Sequence, residues 1–323
     1  MNPPLPFDVA VVIPLYNKAP YIRRTLESVL AQTIPATEII IIDDGSTDDS
    51  VARVSDLAGA NVRLVEQPNA GPGPARNRGV AEATAPWIAF LDGDDLWRPD
   101  HLATLAELSG QFPQADAVAT SFERHRAGDD ISLAQSNNDD PDVALIDYFA
   151  IPSGEGGIWA SSIAIKRAAI AAVGEFGAFW PGEDQDYWAR LALDHEIALS
   201  GRRTALYVQQ TGGLMDSIEC QPYAGFVLNP IFATLDRALA DPRHAANHPT
   251  IRRYRAALLR QYVRQALYRG EVDAARQYID ELEKSGPAQL GLLRTLSWMP
   301  ASVVRAGIAV RRRLKRLKPV SHA

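Results

Sequence analysis

Two rhythms of apolar residues alternate along the first hundred positions. Val9–Leu15 is a nearly continuous apolar run, the pattern of a strand buried on both faces. Residues 21–32 then place Ile22, Leu26, Val29 and Leu30 on one helical face. Glu38–Asp43 predicts a second strand, and Gly45, Ser46, Thr47 and Asp48 supply the turn and N-cap chemistry for a helix after it. Val62–Glu66 and residues 87–91 predict two more strands, separated by a helix of small residues over about 73–85. Strands alternating with helices and buried on both sides predict a parallel α/β sheet covered on both faces.

Further on the signals change. Residues 129–142 are rich in Asp, Asn and Ser and read as an exposed loop or hairpin. Residues 158–165 predict another strand, and an amphipathic helix with Tyr187, Trp188, Leu191 and Leu193 follows Gly182-Glu183-Asp184. Past Tyr223 strand signals stop, and two helical stretches, 251–268 and Val272–Lys284, flank an Arg269-Gly270 turn as an α-hairpin. The chain is therefore expected to fold as two units, 1–220 and an all-α appendage over 221–323.

Composition narrows the class. At 323 residues, 46% hydrophobic and 22% charged, the chain has the make-up of a soluble globular protein. Cys220 is its one cysteine, which excludes an intramolecular disulfide and a cysteine-based zinc cluster and predicts a reducing, cytoplasmic setting. Residues 1–7 lack the basic start and apolar stretch of an export signal, and no run is long enough to cross a bilayer. Net charge is −6, yet residues 287–323 carry eight Arg or Lys and no acid, so −14 rests on the remainder. An acidic body argues against nucleic acid as a partner and for a basic tail with a separate task. If helical, residues 302–318 set Val303, Val310, Leu314 and Leu317 roughly opposite Arg305, Arg312 and Arg316. That pattern suits peripheral contact at the inner face of an anionic membrane, and equally a solvated helix packed on its own domain.

In an open α/β sheet ligands bind beyond the carboxyl ends of the strands. Three polar clusters fall there: Tyr16-Asn17, Asp43-Asp44-Gly45-Ser46 and Asp92-Gly93-Asp94-Asp95. Asp92 and Asp94 crowd two carboxylates at a strand end, where a divalent cation such as Mn²⁺ or Mg²⁺ relieves their repulsion. Read alone, the same run is equally a polar turn. Asp44 can accept from an N–H on a nucleobase edge, or simply close a strand. Gly71 opens a helix carrying Arg76 and Asn77, an arrangement suited to an anionic diphosphate and also to close packing on a sheet. Asp184 enters its helix at the N-terminus, where the dipole favours its ionised form, so capping and general-base chemistry are compatible.

Taken together these segments resemble the family 2 glycosyltransferases of GT-A fold. The matching stretches are 11–17 (Val-Val-Ile-Pro-Leu-Tyr-Asn), 38–48, 71–79 with its Ala-Arg-Asn core, 87–95 (Trp-Ile-Ala-Phe-Leu-Asp-Gly-Asp-Asp) and 182–188 (Gly-Glu-Asp-Gln-Asp-Tyr-Trp). Five such motifs in order are specific in a way that none is singly, and they cover about residues 8–213.

The resemblance implies a Rossmann-like, mostly parallel GT-A sheet and a metal-dependent, inverting transferase. A nucleotide diphosphate sugar, with UDP favoured, would be the donor, and a saccharide or lipid-linked saccharide the acceptor, in surface polysaccharide or glycolipid synthesis. Pro14, Tyr16 and Asn17 would lie against the nucleotide, Asp44 would read the base, and Gly71, Arg76, Asn77 and Gly93 would shape the donor pocket. Asp92 would approach the ribose or the metal's water shell, Asp94 would ligate the metal, and Asp184 would be the catalytic base.

Two departures qualify this. Processive members carry a Gln-x-x-Arg-Trp signature, whereas Gln185-Asp-Tyr-Trp188 is followed by Ala189-Arg190, which favours transfer of single sugars. A metal-contacting histidine found downstream in many relatives has no counterpart in 207–213. Rival readings are a non-catalytic nucleotide-sugar sensor and, more remotely, an aspartyl-nucleophile phosphatase, whose companion threonine does not follow Asp94.

Overall fold

The structure is a computed structural model. It describes residues 7–55, 57, 59, 61–135, 142–151, 157–179, 181–209, 211, 229–284, 295, 297–299 and 303. The chain divides into two compact units, Met1–Asp216 and Ser217–Ala323. Cys220, the centre of the acidic loop at 136–141 and all of the 302–318 tail except Val303 lie outside the described residues.

The first unit opens with β1 (Val9–Leu15), α1 (Ile22–Leu30), β2 (Glu38–Asp43), the short α2 (Ala52–Ser55), β3 (Val62–Glu66), α3 (Pro72–Glu82) and β4 (Trp87–Phe90). It continues through β5 (Leu96–Trp97), α4 (His101–Gln111), β6 (Ala117–Arg126), β7 (Val143–Ile146), β8 (Ile163–Lys166), α5 (Arg167–Val173), α6 (Glu183–Asp194) and β9 (Ile197–Gln209). Among the described residues nine strands form one sheet in the order β3-β2-β1-β4-β8-β6-β9-β5, with β7 also on β9.

The β3-β2-β1-β4 half is parallel throughout, as the alternation of elements demands. Both faces of β1 are closed. Val9, Val11 and Ile13 join the core with Ile22, Leu26 and Val29 of α1. On the other face α3 lies so near that a Cβ at Gly79 would run into the Val12 side chain. Each aliphatic side chain removed from water here contributes about 1.5–3 kcal/mol. Leu30, expected on the buried stripe of α1, is instead 46% exposed. It sits about 80° round the helix from Ile22, beyond the face that the sheet covers.

The remaining half is mixed, and the parallel pattern read from the first hundred positions does not extend to it. β8 runs antiparallel to both β4 and β6, β6 and β9 pair parallel, and β5 and β7 are antiparallel to β9. The strand expected over 158–165 begins only at Ile163, after a 3₁₀ turn at Ala160–Ser162. Its cause is local. The Ser162 hydroxyl accepts from Trp159 N at 3.0 Å while Ser162 N donates to Trp159 O at 2.9 Å, and such short-range bonds compete with the ladder.

The second unit contains α7 (Pro230–Ala240), α8 (His248–Arg269) and α9 (Val272–Lys284). Asn229 caps α7 by accepting from Ile231 N at 3.0 Å. Gly270, at φ 76°, ends α8 and starts the hairpin expected from sequence. Arg255 on α8 pairs with Asp236 at 2.7 Å, and Tyr262 bridges Phe232 and Tyr278 through ring contacts of 5.7 and 5.3 Å. No helix among the described residues is long and apolar enough to cross a membrane.

Candidate active site

The carboxyl ends of β1, β2 and β4 lie side by side, and chain-internal hydrogen bonds fasten the loops that leave them. Asn17 adopts φ 50°, a left-handed conformation that asparagine tolerates better than most residues. Its side chain accepts from Thr47 N at 2.8 Å, and its own N–H donates to Ser46 Oγ at 3.1 Å. Asp48 accepts from Ala19 N at 3.0 Å. Asp44, buried after β2, accepts from Gln67 Nε2 at 2.8 Å, Ala70 N at 2.9 Å and Gly71 N at 2.8 Å. These three donors leave one of its roughly four lone-pair positions, so its first task is to shape the loop into α3. Gly71 takes φ 95° there. Tyr16 is half-exposed at the end of β1. Pro14 presents its carbonyl to Gly93, where a Cβ would stand 3.1 Å from it.

Beyond β4, Asp92, Asp94 and Asp95 take three different partners. Asp92 binds Arg76 Nη2 at 2.8 Å. Asp94 pairs with the Lys18 ammonium and accepts from the Thr211 hydroxyl at 2.5 Å. Asp95 is buried and accepts from Ser161 Oγ at 2.6 Å, Trp159 Nε1 at 2.8 Å and Val208 N at 2.9 Å. Burial, with Asp94 and Asp92 alongside, pushes the Asp95 carboxyl well above its ordinary value. It therefore ties the turn to the 159–161 segment and to β9.

Arg76 is the keystone. Its Nη1 binds Glu183 at 2.9 Å while its Nη2 holds Asp92, which draws the end of β4 and the first turn of α6 together across 91 positions of chain. Burial opposes its charge, but Asp92, Glu183 and Asp184 outweigh this and hold the guanidinium firmly protonated. Beside it, Asn77 clamps Phe176 at both backbone groups, 2.9 Å to the carbonyl and 2.8 Å from the N–H.

The first turn of α6 carries three acids, and their partners sort them. Glu183 belongs to Arg76, and Asp186 pairs with Arg190 at 2.9 Å. Asp184 forms no ion pair among the described residues and accepts from Gln185 N at 2.8 Å. It is half-buried. Burial raises its pKa, with Arg76 opposing and Asp92 adding. Glu183 is pushed up to about 7 by burial and by Asp184, against the pull of Arg76. A carboxylate free of ion pairs, beside one that is fully engaged, is the arrangement a proton acceptor needs.

Among the described residues no group of three acidic, histidine or cysteine side chains is arranged to hold a metal unaided. Asp92 and Asp94 do offer hard oxygen donors. A small divalent cation commonly takes one or two protein carboxylates and fills its remaining positions with water and substrate phosphate, so the donor set fits Mg²⁺ or Mn²⁺. Asp94 already draws a cation, the Lys18 ammonium. Lys18, Thr211, Glu183 and Trp159 were not singled out by sequence. The first follows a predicted site residue directly, and the third precedes one.

Comparison with known proteins places these features in a common frame. The family model described as Glycosyl transferase family 2 matches residues 10–172, about half of the chain. An uncharacterized glycosyltransferase of Nostoc sp. is 34% identical over 173 residues, covering 51% of this chain and 52% of that protein. The succinoglycan biosynthesis protein ExoO of Rhizobium meliloti is 28% identical over 347 residues, covering 100% of this chain and 93% of that one. Among solved structures, S. aureus TarS in complex with UDP-GlcNAc superposes with a TM-score of 0.65 at 17% identity, over 95% of this chain and 92% of that one. The shared fold is GT-A, with a helical region after it.

Proposed function

We propose that this chain, which belongs to glycosyl transferase family 2, moves a single sugar from a nucleotide diphosphate donor, UDP-sugar favoured, to an acceptor hydroxyl with inversion at the anomeric carbon. The acceptor would be a saccharide or lipid-linked saccharide in polysaccharide or glycolipid synthesis, reached from the cytoplasm. The name of the ExoO relative and the UDP-GlcNAc bound to TarS support the direction of this reading. The observation that carries it is the Arg76 bridge, which sets Asp184 against the Asp92–Asp94 turn.

In this reading the nucleotide lies over the loops after β1 and β2, with Tyr16 against the base. Asp44 holds the Ala70 and Gly71 amides in place and uses its remaining lone pair on the base edge. The N-terminus of α3 faces the diphosphate, where the positive end of the helix dipole favours negative charge, although Pro72 and Pro74 carry no N–H and Asp44 takes the Gly71 amide. Asp184 then accepts the acceptor's hydroxyl proton as that oxygen bonds to the anomeric carbon, and the bond from that carbon to the diphosphate oxygen breaks on the opposite side. Arg76, fixed between Asp92 and Glu183, keeps Asp184 from drifting. A Mn²⁺ or Mg²⁺ ion held by Asp94 and Asp92 would supply Lewis-acid charge for the departing diphosphate.

The test is a thermal-shift panel of UDP, GDP and dTDP with and without Mn²⁺, because a ligand of the folded state raises apparent stability by mass action. UDP with Mn²⁺ should give the largest rise, and Asp94→Asn should remove the metal-dependent part. A flat response to all three nucleotides under both conditions contradicts the reading.

A further inference from the structure

Two groups of aromatic side chains in the first unit differ in exposure. Phe90, Trp97, Phe176, Tyr187 and Trp188 are sealed in the core, none more than 3% exposed. Phe122, Trp159 and Tyr207 come from β6, the turn before β8 and β9, meet each other, and remain half-exposed. The Trp159 and Tyr207 ring centroids are 4.2 Å apart, and Phe122 sits 6.1 Å from the first and 6.4 Å from the second. Leu206 and Val208 bury themselves in a small core with Leu96 and Ile131. Tyr207, between them on the strand, therefore projects to the opposite face.

This group is fastened to the reacting end of the sheet by three bonds. Trp159 Nε1 donates to Asp95 at 2.8 Å, the Ser161 hydroxyl accepts from Asp92 N at 3.0 Å, and Val208 N donates to Asp95 at 2.9 Å. Just past β9, Thr211 reaches Asp94. The Tyr207 phenol is pushed up to about 12 by burial and then by Asp95, Asp92 and Asp94, which places it within the field of the whole acidic turn. The nucleotide loops leave β1 and β2, on the other side of β4 in the strand order. The rings thus flank the acidic turn from the side away from the base.

We propose that Trp159 and Tyr207, backed by Phe122, form a stacking platform for a pyranose ring of the acceptor. A pyranose has an apolar C–H face and a rim of hydroxyls. Partly exposed rings with polar groups beside them bury the first and leave the second to hydrogen bonds. Gln209, next but one to Tyr207 and exposed, and the Arg124 guanidinium, 5.4 Å over the Phe122 ring, supply such groups at the border. The platform rests on the transferase reading above and names the class of its acceptor: a sugar ring rather than a lipid or peptide hydroxyl.

The test is saturation-transfer NMR on the full chain in the presence of UDP and Mg²⁺, with the methyl β-glycosides of glucose, galactose and N-acetylglucosamine as probes. Wild type should pass saturation to ring C–H protons of at least one glycoside. Tyr207→Leu and Trp159→Leu should each lose that transfer, Tyr207→Phe should keep it, and UDP protons should stay saturated throughout. Two leucine variants guard against loss of fold in either, and retained UDP signals verify it. Transfer that survives both leucine substitutions, or that is missing from all three glycosides in wild type while UDP is seen, overturns the platform and leaves the transferase standing. Absence of UDP signals in wild type overturns both.

Discussion

The two halves of the sheet solve different problems with different materials. The β3-β2-β1-β4 half is parallel, and the loops at its carboxyl edge are fastened by short polar side chains to backbone groups, as Asn17 is to Thr47 and Asp44 to Ala70 and Gly71. In the β8-β6-β9-β5 half the strands are mixed in direction, and beside the short Ser161 and Thr211 a large side chain, Trp159, reaches the acidic turn with Tyr207 packed against it. In the proposed reading the first half cradles the nucleotide, and the second offers the ring surface to the acceptor. Arg76 couples the halves through Asp92 on one side and Glu183 on the other.

The comparison breaks most sharply at Asp184. Asp184→Asn should lower kcat by about 10²–10⁴-fold, the usual worth of a positioned base, while the UDP dissociation constant by calorimetry stays within about twofold. A parallel loss of UDP binding would make Asp184 part of the cradle instead. Next comes the coupling itself. Arg76→Met leaves Asp92 and Glu183 without their shared partner and should cost about 3–5 kcal/mol in denaturant unfolding, the typical penalty for orphaning a buried charge. Arg76→Lys should recover only part of it, because one ammonium cannot reproduce the two-armed fork.

A smaller effect is expected at Asp44. Asp44→Ala removes the acceptor for two backbone N–H groups and should cost about 1–3 kcal/mol, read as UDP affinity falling by about 5- to 150-fold, with the acceptor KM little changed. The finest prediction concerns pH. Asp184 works ionised and burial raises its pKa, so kcat/KM should rise with pH along an acid limb whose midpoint lies above the ordinary aspartate value of about 3.9. Glu183 is pushed up to about 7, in part by Asp184, so it is neutral along a limb below that pH and Glu183→Gln should leave the limb in place. A limb that moves to lower pH would mean that Glu183 carries charge there and bears on Asp184.

The cradle half was legible in the sequence because its signals are local. A continuous apolar run marks β1, another marks β2, and the residues that follow each strand sit within a few positions of it. In the other half only β8 was foreseen, and β6 and β9 escaped for a physical reason. Past its first four residues β6 reads Ser-Phe-Glu-Arg-His-Arg, and β9 carries Ser-Gly-Arg-Arg-Thr in its middle, so neither shows an unbroken apolar stretch although both are paired in the sheet. The partners of the site residues were hidden likewise. Lys18 meets Asp94 across 76 positions, Glu183 meets Arg76 across 107 and Thr211 meets Asp94 across 117. Each of those pairings exists only once the strands are in order. At α1 the helical period was right but the width of the covered face was not, which left Leu30 in solvent.

The central claim is that Asp184 deprotonates the acceptor directly and that the sugar is displaced in one step. Proton NMR of the first product formed from a UDP-sugar of known anomeric configuration tests this most directly. The account predicts a new glycosidic bond of configuration opposite to the donor's, and a product that keeps the donor's configuration would contradict it.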